Sequence, residues 1–148
     1  MSRPSIMSIF METAKLFATR STCKRVKVGA VLVKDGRIIS TGYNGTPSGV
    51  IHCEDHFEHN EYNSNLHAEF SKKYELHAEQ NVLAQALKNG VNIENSMLVQ
   101  TLSPCSQCSK LILASGIKTV IYLEKYDRDV DGISFLLNNG VKCKQFDE

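Results

Sequence analysis

Residues 97–124 read MLVQTLSPCSQCSKLILASGIKTVIYLE, and this stretch decides the fold class. Two short runs rich in β-branched and other apolar residues, at 97–101 and 119–123, predict β-strands. Between them, residues 105–115 have the character of a helix, and the glycine that follows at Gly116 is typical of a helix end. A strand, a helix and a second strand in succession indicate an α/β protein.

The flanking sequence extends this alternation in both directions. Further helices are predicted over residues 5–20, from 77 to a stop at 89–90, and over 130–139; further strands are predicted over 26–34, 37–43 and 141–146. Asp35-Gly36 between two of these strands is a strong hairpin signal. Gly29 and Gly42 inside the hairpin predict bulges or close backbone approaches. The order of elements predicts a three-layer α/β/α sandwich with a five-stranded mixed sheet.

Residues 48–76 interrupt this pattern with no sustained hydrophobic period and many histidines and acidic residues. A connection of this length inside a compact domain is usually functional or disordered. We therefore predict a single domain over residues 1–148 that carries a metal-binding insert at about 48–76.

Composition narrows the function classes. The 148 residues carry a formal net charge of +1, without the strongly basic character typical of nucleic-acid binding. No apolar run reaches the length of a membrane span, and the N-terminal residues lack a secretory signal pattern. Five cysteines in such a chain favour metal binding over disulfides, and a cytoplasmic location follows as an expectation.

Two short motifs carry the chemistry: His77-Ala78-Glu79 and Pro104-Cys105-Ser106-Gln107-Cys108. Zn²⁺ favours imidazole and thiolate ligands, and a catalytic zinc has three protein ligands with the fourth position open. His77, Cys105 and Cys108 supply such a set. The order H-x-E…P-C-x-x-C also matches the signature of zinc-dependent base deaminases, in which the glutamate is a general acid and base.

Local geometry supports this assignment. Cys105 and Cys108 are about one helical turn apart, and Ser103-Pro104 before them is a plausible cap, which places both thiols at the positive end of a helix. His77 and Glu79, two apart, do not share a helix face, so His77 is predicted at the very start of its helix. Glu79 then lies beside the metal without binding it and shuttles protons. The alternative is a four-ligand zinc that only stabilises the fold, but one histidine and one CxxC leave its fourth ligand unaccounted for.

The stretches VGAVLVKDGRIISTGYNGTPSG (28–49), LHAEQNVLAQA (76–86), TLSPCSQC (101–108) and SGIKTVIY (115–122) resemble the deoxycytidylate (dCMP) deaminases of the cytidine deaminase superfamily, most closely the phage and bacterial type. The GYNGTPSG block is the most specific part of this resemblance. It implies the cytidine deaminase-like fold and zinc-dependent hydrolysis of dCMP to dUMP and ammonia, which supplies dUMP for dTMP synthesis. It also implies zinc-ligand roles for His77, Cys105 and Cys108 and the proton-shuttle role for Glu79.

A second His-Ala-Glu triplet at His67-Ala68-Glu69 complicates the assignment, because composition alone does not distinguish the two copies. The later copy is favoured by the helical period that follows it and by its likeness to the family motif. Phage-type relatives bind a second, structural zinc, and that resemblance implies ligand roles for Cys23, Cys53, His67 and Glu75. The alternative is that the cysteines are small buried thiols and the histidines belong to a solvated loop, and His52, His56 or His59 could substitute as ligands.

The resemblance also implies substrate and effector residues. Backbone groups of Ala78 and Ser103 are expected to hold the base. Asn44 offers a donor and an acceptor suited to a sugar hydroxyl, although Asn-Gly is also a common turn. Tyr126, Lys125 and Arg128 are candidates for the phosphate by their position after a predicted strand; the alternative is that they are ordinary exposed residues. Members with GYNG are usually hexamers activated by dCTP and inhibited by dTTP. An effector site with Mg²⁺ is expected at Lys24, Arg25, Tyr43, Asn44 and Gly45. For Lys24, Arg25 and Lys27 the alternative is a solvated charged patch.

Two competing functions remain. One is another deaminase of the superfamily, acting on a free nucleoside, a tRNA adenosine or a pterin-like precursor. The other is a non-catalytic zinc module that binds nucleotides. Glu79 argues against the second, because a structural zinc site has no use for an uncoordinated carboxylate beside its histidine.

Overall fold

The computed structural model describes residues 2–147, and along this part helices and strands follow the predicted alternation. The helices are α1 (Ile6–Ala18), α2 (Cys53–Glu58), α3 (Ser64–Tyr74), α4 (Ala78–Lys88), α5 (Ser106–Ala114) and α6 (Asp131–Asn138). The strands are β1 (Gly29–Lys34), β2 (Arg37–Tyr43), β3 (Met97–Leu102), β4 (Thr119–Glu124) and β5 (Lys142–Gln145).

The five strands form one mixed sheet in the order β2-β1-β3-β4-β5. β1 pairs antiparallel with both β2 and β3, whereas β3, β4 and β5 run parallel. The parallel half arises because α5 and α6 each return the chain to the same end of the sheet. The prediction of an α/β fold with a five-stranded mixed sheet is therefore confirmed.

Alternation along the strands supplies the sheet with two apolar faces. Ala30, Leu32, Leu98 and Val120 lie in one cluster with residues of α4, α5 and α6. Val31, Val33, Val99 and Ile121 lie in a second cluster with Phe10, Met11 and Ala14 of α1. The sheet is thus sandwiched between α1 on one side and three helices on the other.

The two glycines of the hairpin mark close backbone approaches. A Cβ atom added to Gly29 would lie 1.8 Å from the Ala14 carbonyl oxygen of α1. At Gly42 it would lie 2.8 Å from the Val82 nitrogen of α4. The one register shift in the hairpin falls elsewhere, between Leu32 and Val33. Helices therefore pack directly on the backbone of both strands.

The segment 48–76 is more regular than its sequence pattern indicated, because it contains α2 and α3. Cys53, Phe57 and Phe70 are buried there in a small cluster of their own, with Leu66 packed against it. The chain enters and leaves at one point, since Gly45 and Leu76 form an isolated antiparallel bridge. Neither helix was predicted, because the apolar residues serve a local cluster, which leaves no long helical period in the sequence.

Among residues 2–147, the helices all fall short of the length and apolar character required to cross a membrane.

Candidate active site and metal centres

The candidate site lies at the edge of the sheet where β3 and β4 end. Because these strands are parallel, the residues that follow them, Ser103 and Tyr126, are brought together. The Tyr126 N–H donates to Ser103 Oγ at 2.7 Å, and the Ser103 N–H donates to the Glu124 carbonyl at 2.8 Å. The antiparallel hairpin brings the start of β1 and the end of β2 to the same edge.

Cys105 is the residue that begins α5. Its backbone is extended, and its sulfur accepts a hydrogen bond from the Cys108 N–H at 3.4 Å. The predicted cap at Ser103-Pro104 is therefore two residues too early: the helix begins at Ser106, and Pro104 belongs to the turn before it. The predicted placement of the two thiols is nevertheless correct, because both lie at the positive end of the helix dipole.

His77 occupies the matching position at α4, immediately before Ala78, as expected. Its backbone N–H donates to the Gln80 side chain at 2.7 Å. The imidazole Nδ1 lies 3.3 Å from Cys108 Sγ and 3.6 Å from Cys105 Sγ. One donor atom from each of the three residues falls within 4.8 Å of the other two. We call His77, Cys105 and Cys108 the first donor group.

The electrostatics of this group fit a cation. A hydrogen bond from Cys108, assisted by His77, lowers the pKa of Cys105 to about 4. The same shared proton, together with burial, raises the pKa of Cys108. The hydrogen bond between His77 and Cys105 raises the pKa of the imidazole. A thiolate, a thiol and an imidazole thus converge on one point, and Zn²⁺ would take the place of the protons that they share.

Glu79 lies in the first turn of α4, two residues after His77, and its side chain is 5% exposed. Burial raises the pKa of this carboxyl, and the nearby His77 opposes the shift. A carboxyl whose pKa lies above its usual range is suited to accept and return a proton near neutral pH. Glu79 is separate from the first donor group and lines the same cleft as His77 and Cys105.

Cys23, Cys53, His67 and Glu75 form a second donor group, although the sequence spreads them over 53 positions. Cys23 Sγ lies 3.3 Å from His67 Nε2 and 3.7 Å from Glu75 Oε1, and His67 Nε2 lies 3.5 Å from Glu75 Oε1. Two sulfurs, one nitrogen and one oxygen match a closed tetrahedral zinc site.

Burial dominates the chemistry of the second donor group. It raises the pKa of Cys53 to about 11 and that of Cys23 in the same direction, and it lowers the pKa of His67. Glu75 Oε2 is buried and has no hydrogen-bond partner among the described residues. A buried carboxylate oxygen without a partner is costly, and a bound cation would satisfy it.

The structure assigns the two His-Ala-Glu triplets different surroundings. His77 and Glu79 lie at the start of α4, His67 belongs to the second donor group, which lines the same cleft, and Glu69 is exposed. His56 stacks on Phe70 with ring centroids 4.6 Å apart, and neither it nor His52 or His59 joins either group. The three histidines considered as substitute ligands therefore lie outside both sites.

The cleft has a cavity volume of about 60 Å³ and is continuous with open solvent. Four of the residues expected to contact substrate line it, namely Asn44, Ala78, Ser103 and Tyr126. The Asn44 side chain is largely committed to backbone: its oxygen accepts from the Val28 N–H at 2.8 Å, and its amide donates to the Val26 carbonyl at 2.9 Å.

The residues expected at an effector site divide into two sets. Arg25 lines the cleft, and its guanidinium donates to the Tyr126 hydroxyl at 3.2 Å. Lys24 lies over the Tyr62 ring, 5.2 Å from its centroid, outside the cleft. Tyr43 and Gly45 lie at the end of β2, where Gly45 bridges to Leu76.

Sequence reasoning missed the residues that hold the donors in place. Ser106 donates to the Asp129 carboxylate twice, through its N–H at 2.8 Å and its Oγ at 2.6 Å. Gln80 holds the backbone of His77. Glutamine three residues after a helix start is a known capping signal and could have been found, whereas nothing in the sequence pairs Asp129 with Ser106. Lys125 and Arg128 are exposed and do not line the cleft.

Comparisons with known proteins agree with this geometry. Residues 4–124 match the family described as the cytidine and deoxycytidylate deaminase zinc-binding region. The deoxycytidylate deaminase of Enterobacteria phage T2 is 36% identical, over 89% of this chain and 87% of that protein. The deoxycytidylate deaminase of Schizosaccharomyces pombe is 41% identical, over 97% of this chain and 45% of that protein. The dCMP deaminase of cyanophage S-TIM5, solved with dCMP and dUMP, is 41% identical with a TM-score of 0.80, over 99% and 100% of the two chains.

Proposed function

The chain belongs to the cytidine and deoxycytidylate deaminase family, and on that basis we propose how it acts: it is a zinc-dependent enzyme that hydrolyses dCMP to dUMP and ammonia. The observation that carries the proposal is the cleft in which the first donor group and buried Glu79 face the same space. His77, Cys105 and Cys108 would hold Zn²⁺, which when bound acts as a Lewis acid that makes water a nucleophile at neutral pH.

Glu79 moves the protons of the reaction. Its carboxylate accepts a proton from the water that attacks C4 of cytosine and passes it to N3 of the ring. It then assists a second transfer to the amino group, so that the C4–N bond breaks and ammonia leaves. The raised pKa of Glu79 favours both directions of transfer.

Ala78 and Ser103 hold the base through the backbone. The Ala78 N–H is in the first turn of α4, where it has no partner within the helix, and Ser103 follows β3. Both residues line the cleft. Asn44 shapes the wall beside the sugar by fixing the backbone of Val26 and Val28.

Arg25 and Tyr126 are our candidates for the phosphate site. A monophosphate needs a cation and hydrogen-bond donors, and the cleft contains this arginine and hydroxyl within 3.2 Å of each other. When dCMP binds, Arg25 and Tyr126 would exchange their mutual hydrogen bond for hydrogen bonds to the phosphate. Arg25 was first expected at an effector site, and its place in the cleft favours a role with substrate.

The test is ammonia release from a panel of cytosine, deoxycytidine, cytidine, CMP and dCMP. Turnover of dCMP with deoxycytidine ignored is expected; turnover of deoxycytidine at the same rate would contradict the proposal. Arg25→Gln should raise the KM for dCMP by about tenfold or more, the value of a lost charge-assisted hydrogen bond. Arg128→Gln, an exposed arginine outside the cleft, is the matched control.

The second donor group is proposed to hold a structural zinc. Its support is the chemistry of the four donors, their burial and the partnerless Glu75 oxygen. Such an ion would connect Cys23, between α1 and β1, with α2, α3 and Glu75, and binding would offset the entropy of ordering residues 48–76.

Regulation is proposed at the end of β2. A triphosphate with Mg²⁺, dCTP as activator and dTTP as inhibitor, would contact Lys24, Tyr43, Asn44 and Gly45, in a homo-hexamer located in the cytoplasm. The support is the bridge between Gly45 and Leu76, next to His77, which gives such a site a short path to the first donor group. Sigmoidal dCMP saturation that dCTP makes hyperbolic is expected. Rates indifferent to both triphosphates would contradict it.

A further inference from the structure

The start of α5 has an unusual arrangement of hydrogen-bond acceptors. The first N–H groups of a helix have no partner within it, and a side-chain oxygen of the residue before the helix normally accepts from one of them. Here that residue is Cys105, whose sulfur is a weak acceptor at 3.4 Å from the Cys108 nitrogen. The same sulfur belongs to the first donor group. A residue required as a donor to an ion cannot also serve well as a cap.

Asp129 supplies the missing oxygen from a different element. Its two carboxylate oxygens accept from the N–H and the hydroxyl of Ser106, the first residue of α5. The backbone amides of Asp131 and Gly132 at the start of α6 help Ser106 to lower the pKa of the same carboxylate. The Asp129 side chain thus connects the loop before α6 to the start of α5.

The loop that carries Asp129 is held against the turn before α5 on both sides. Tyr126, three residues earlier, donates its N–H to Ser103 Oγ, and the Asp129 N–H donates to the Tyr126 carbonyl at 3.2 Å. On the other side, a Cβ atom added to Gly132 would lie 2.3 Å from the Pro104 carbonyl oxygen. The turn that aims Cys105 has little freedom while these contacts persist.

We propose that Asp129 is a positioning residue of the active site: by capping α5 in place of Cys105, it leaves that sulfur directed at His77 and Cys108. The inference rests on the proposed function, since it concerns the same metal centre. Asp129 does not touch substrate or metal. It acts through Ser106, as Gln80 does through the backbone of His77 at α4.

The experiment compares Asp129→Ala, Asp129→Asn and Ser106→Pro in the zinc-loaded protein. Proline is well suited to the first position of a helix and removes both donors to Asp129 without removing the carboxylate. The extended backbone of Cys105 is compatible with a following proline. Asparagine at position 129 retains one acceptor for the Ser106 N–H, so Asp129→Asn should retain the zinc-release rate and kcat that Asp129→Ala loses. Asp127→Asn, an exposed carboxylate of the same loop, is the control.

The first readout is the rate at which a chromogenic chelator extracts zinc. The kinetic phase of zinc release that is absent in Cys105→Ser is assigned to the first donor group. Asp129→Ala and Ser106→Pro are expected to accelerate that phase about tenfold, the usual cost of losing an outer support of a metal ligand, with Asp129→Asn near wild type. The second readout is dCMP kinetics, in which kcat falls and KM changes little.

Unchanged zinc release and unchanged kcat in Asp129→Ala would overturn the proposal. Should that variant not fold, Ser106→Pro decides by the same readouts. If the protein has no activity on dCMP, the proposed function fails, and zinc release alone still decides the role of Asp129.

Discussion

The two donor groups of this chain hold similar atoms in opposite ways. The first has three donors, presented by the starts of α4 and α5, and its His77 is solvent-exposed. The second has four donors from separate segments; Cys23, Cys53 and His67 are buried, and the Glu75 side chain is 3% exposed. Three donors leave one position for a reactant, whereas four donors complete the tetrahedral set of a zinc ion, although Cys23, His67 and Glu75 also line the cleft.

The ionisation of the thiols follows the same division. In the first donor group a hydrogen bond from Cys108 lowers the pKa of Cys105 to about 4, which favours the thiolate. In the second, burial raises the pKa of Cys53 to about 11, which favours the thiol until a cation binds.

The largest effect is expected at Glu79, the proton shuttle that we propose for the first site. Glu79→Gln retains the shape of the side chain but cannot transfer protons, so kcat should fall by about a thousandfold with zinc content unchanged. Ammonia release and metal analysis measure the two quantities. Glu69→Gln, in the other His-Ala-Glu triplet, should behave as wild type; equal losses in both variants would erase the distinction between the regions.

The second group is tested by Cys53→Ala. Loss of one buried donor should release the second zinc and leave Glu75 buried without compensation, at a cost of about 3 kcal/mol in the free energy of unfolding. Urea denaturation and zinc analysis check this. The half-buried Cys143, outside both groups, provides the control as Cys143→Ala. Full zinc content in Cys53→Ala would mean that this region is not a metal site.

Substitution of Asn44 tests the connection between the regions that carry the two donor groups. Its side chain fixes the segment between Cys23 and β1, next to the bridge from Gly45 to Leu76. Asn44→Ala leaves the Val28 N–H unpaired and should cost about 2 kcal/mol. Thermal unfolding and the KM for dCMP separate the roles: a raised KM with stability intact would assign Asn44 to the substrate instead. The exposed Asn89→Ala is the control.

The smallest effect concerns pH. Hydrogen bonds from Ser106 lower the pKa of Asp129, so the folded state favours the carboxylate. Its contribution is present above the pKa of an unfolded aspartate, about 3.9, and is lost as pH falls through the lower folded value. Wild type should therefore exceed Asp129→Asn in stability at pH 6, and the difference should shrink below about pH 4. A difference that grows on acidification would contradict this.

Much of the fold could be predicted because the decisive signals are local. Each signal indicates an element within a few residues: the Asp35-Gly36 turn, the apolar runs of β3 and β4, and the glycine after α5. The first donor group was also accessible, since its members lie in two short motifs at the predicted helix starts.

The rest depends on contacts between distant segments, which no local pattern records. α2 and α3 were missed because Cys53, Phe57 and Phe70 pack on one another and not along a long helical stripe. The hydrogen bonds of Asp129 with Ser106, and of Arg25 with Tyr126, join residues 23 and 101 positions apart. The second donor group could be named only through a family resemblance.

The bridge between Gly45 and Leu76 has a consequence for how the chain can change. Because the backbones of Gly45 and Leu76 are hydrogen-bonded to each other in both directions, residues 46–75 form an excursion whose two ends already touch. The excursion can therefore lengthen or shorten between its donors without moving β2 or α4. Insertions in this part of the chain leave the sheet in place, whereas loss of His67, Ser71 or Glu75 would remove part of the wall of the cleft.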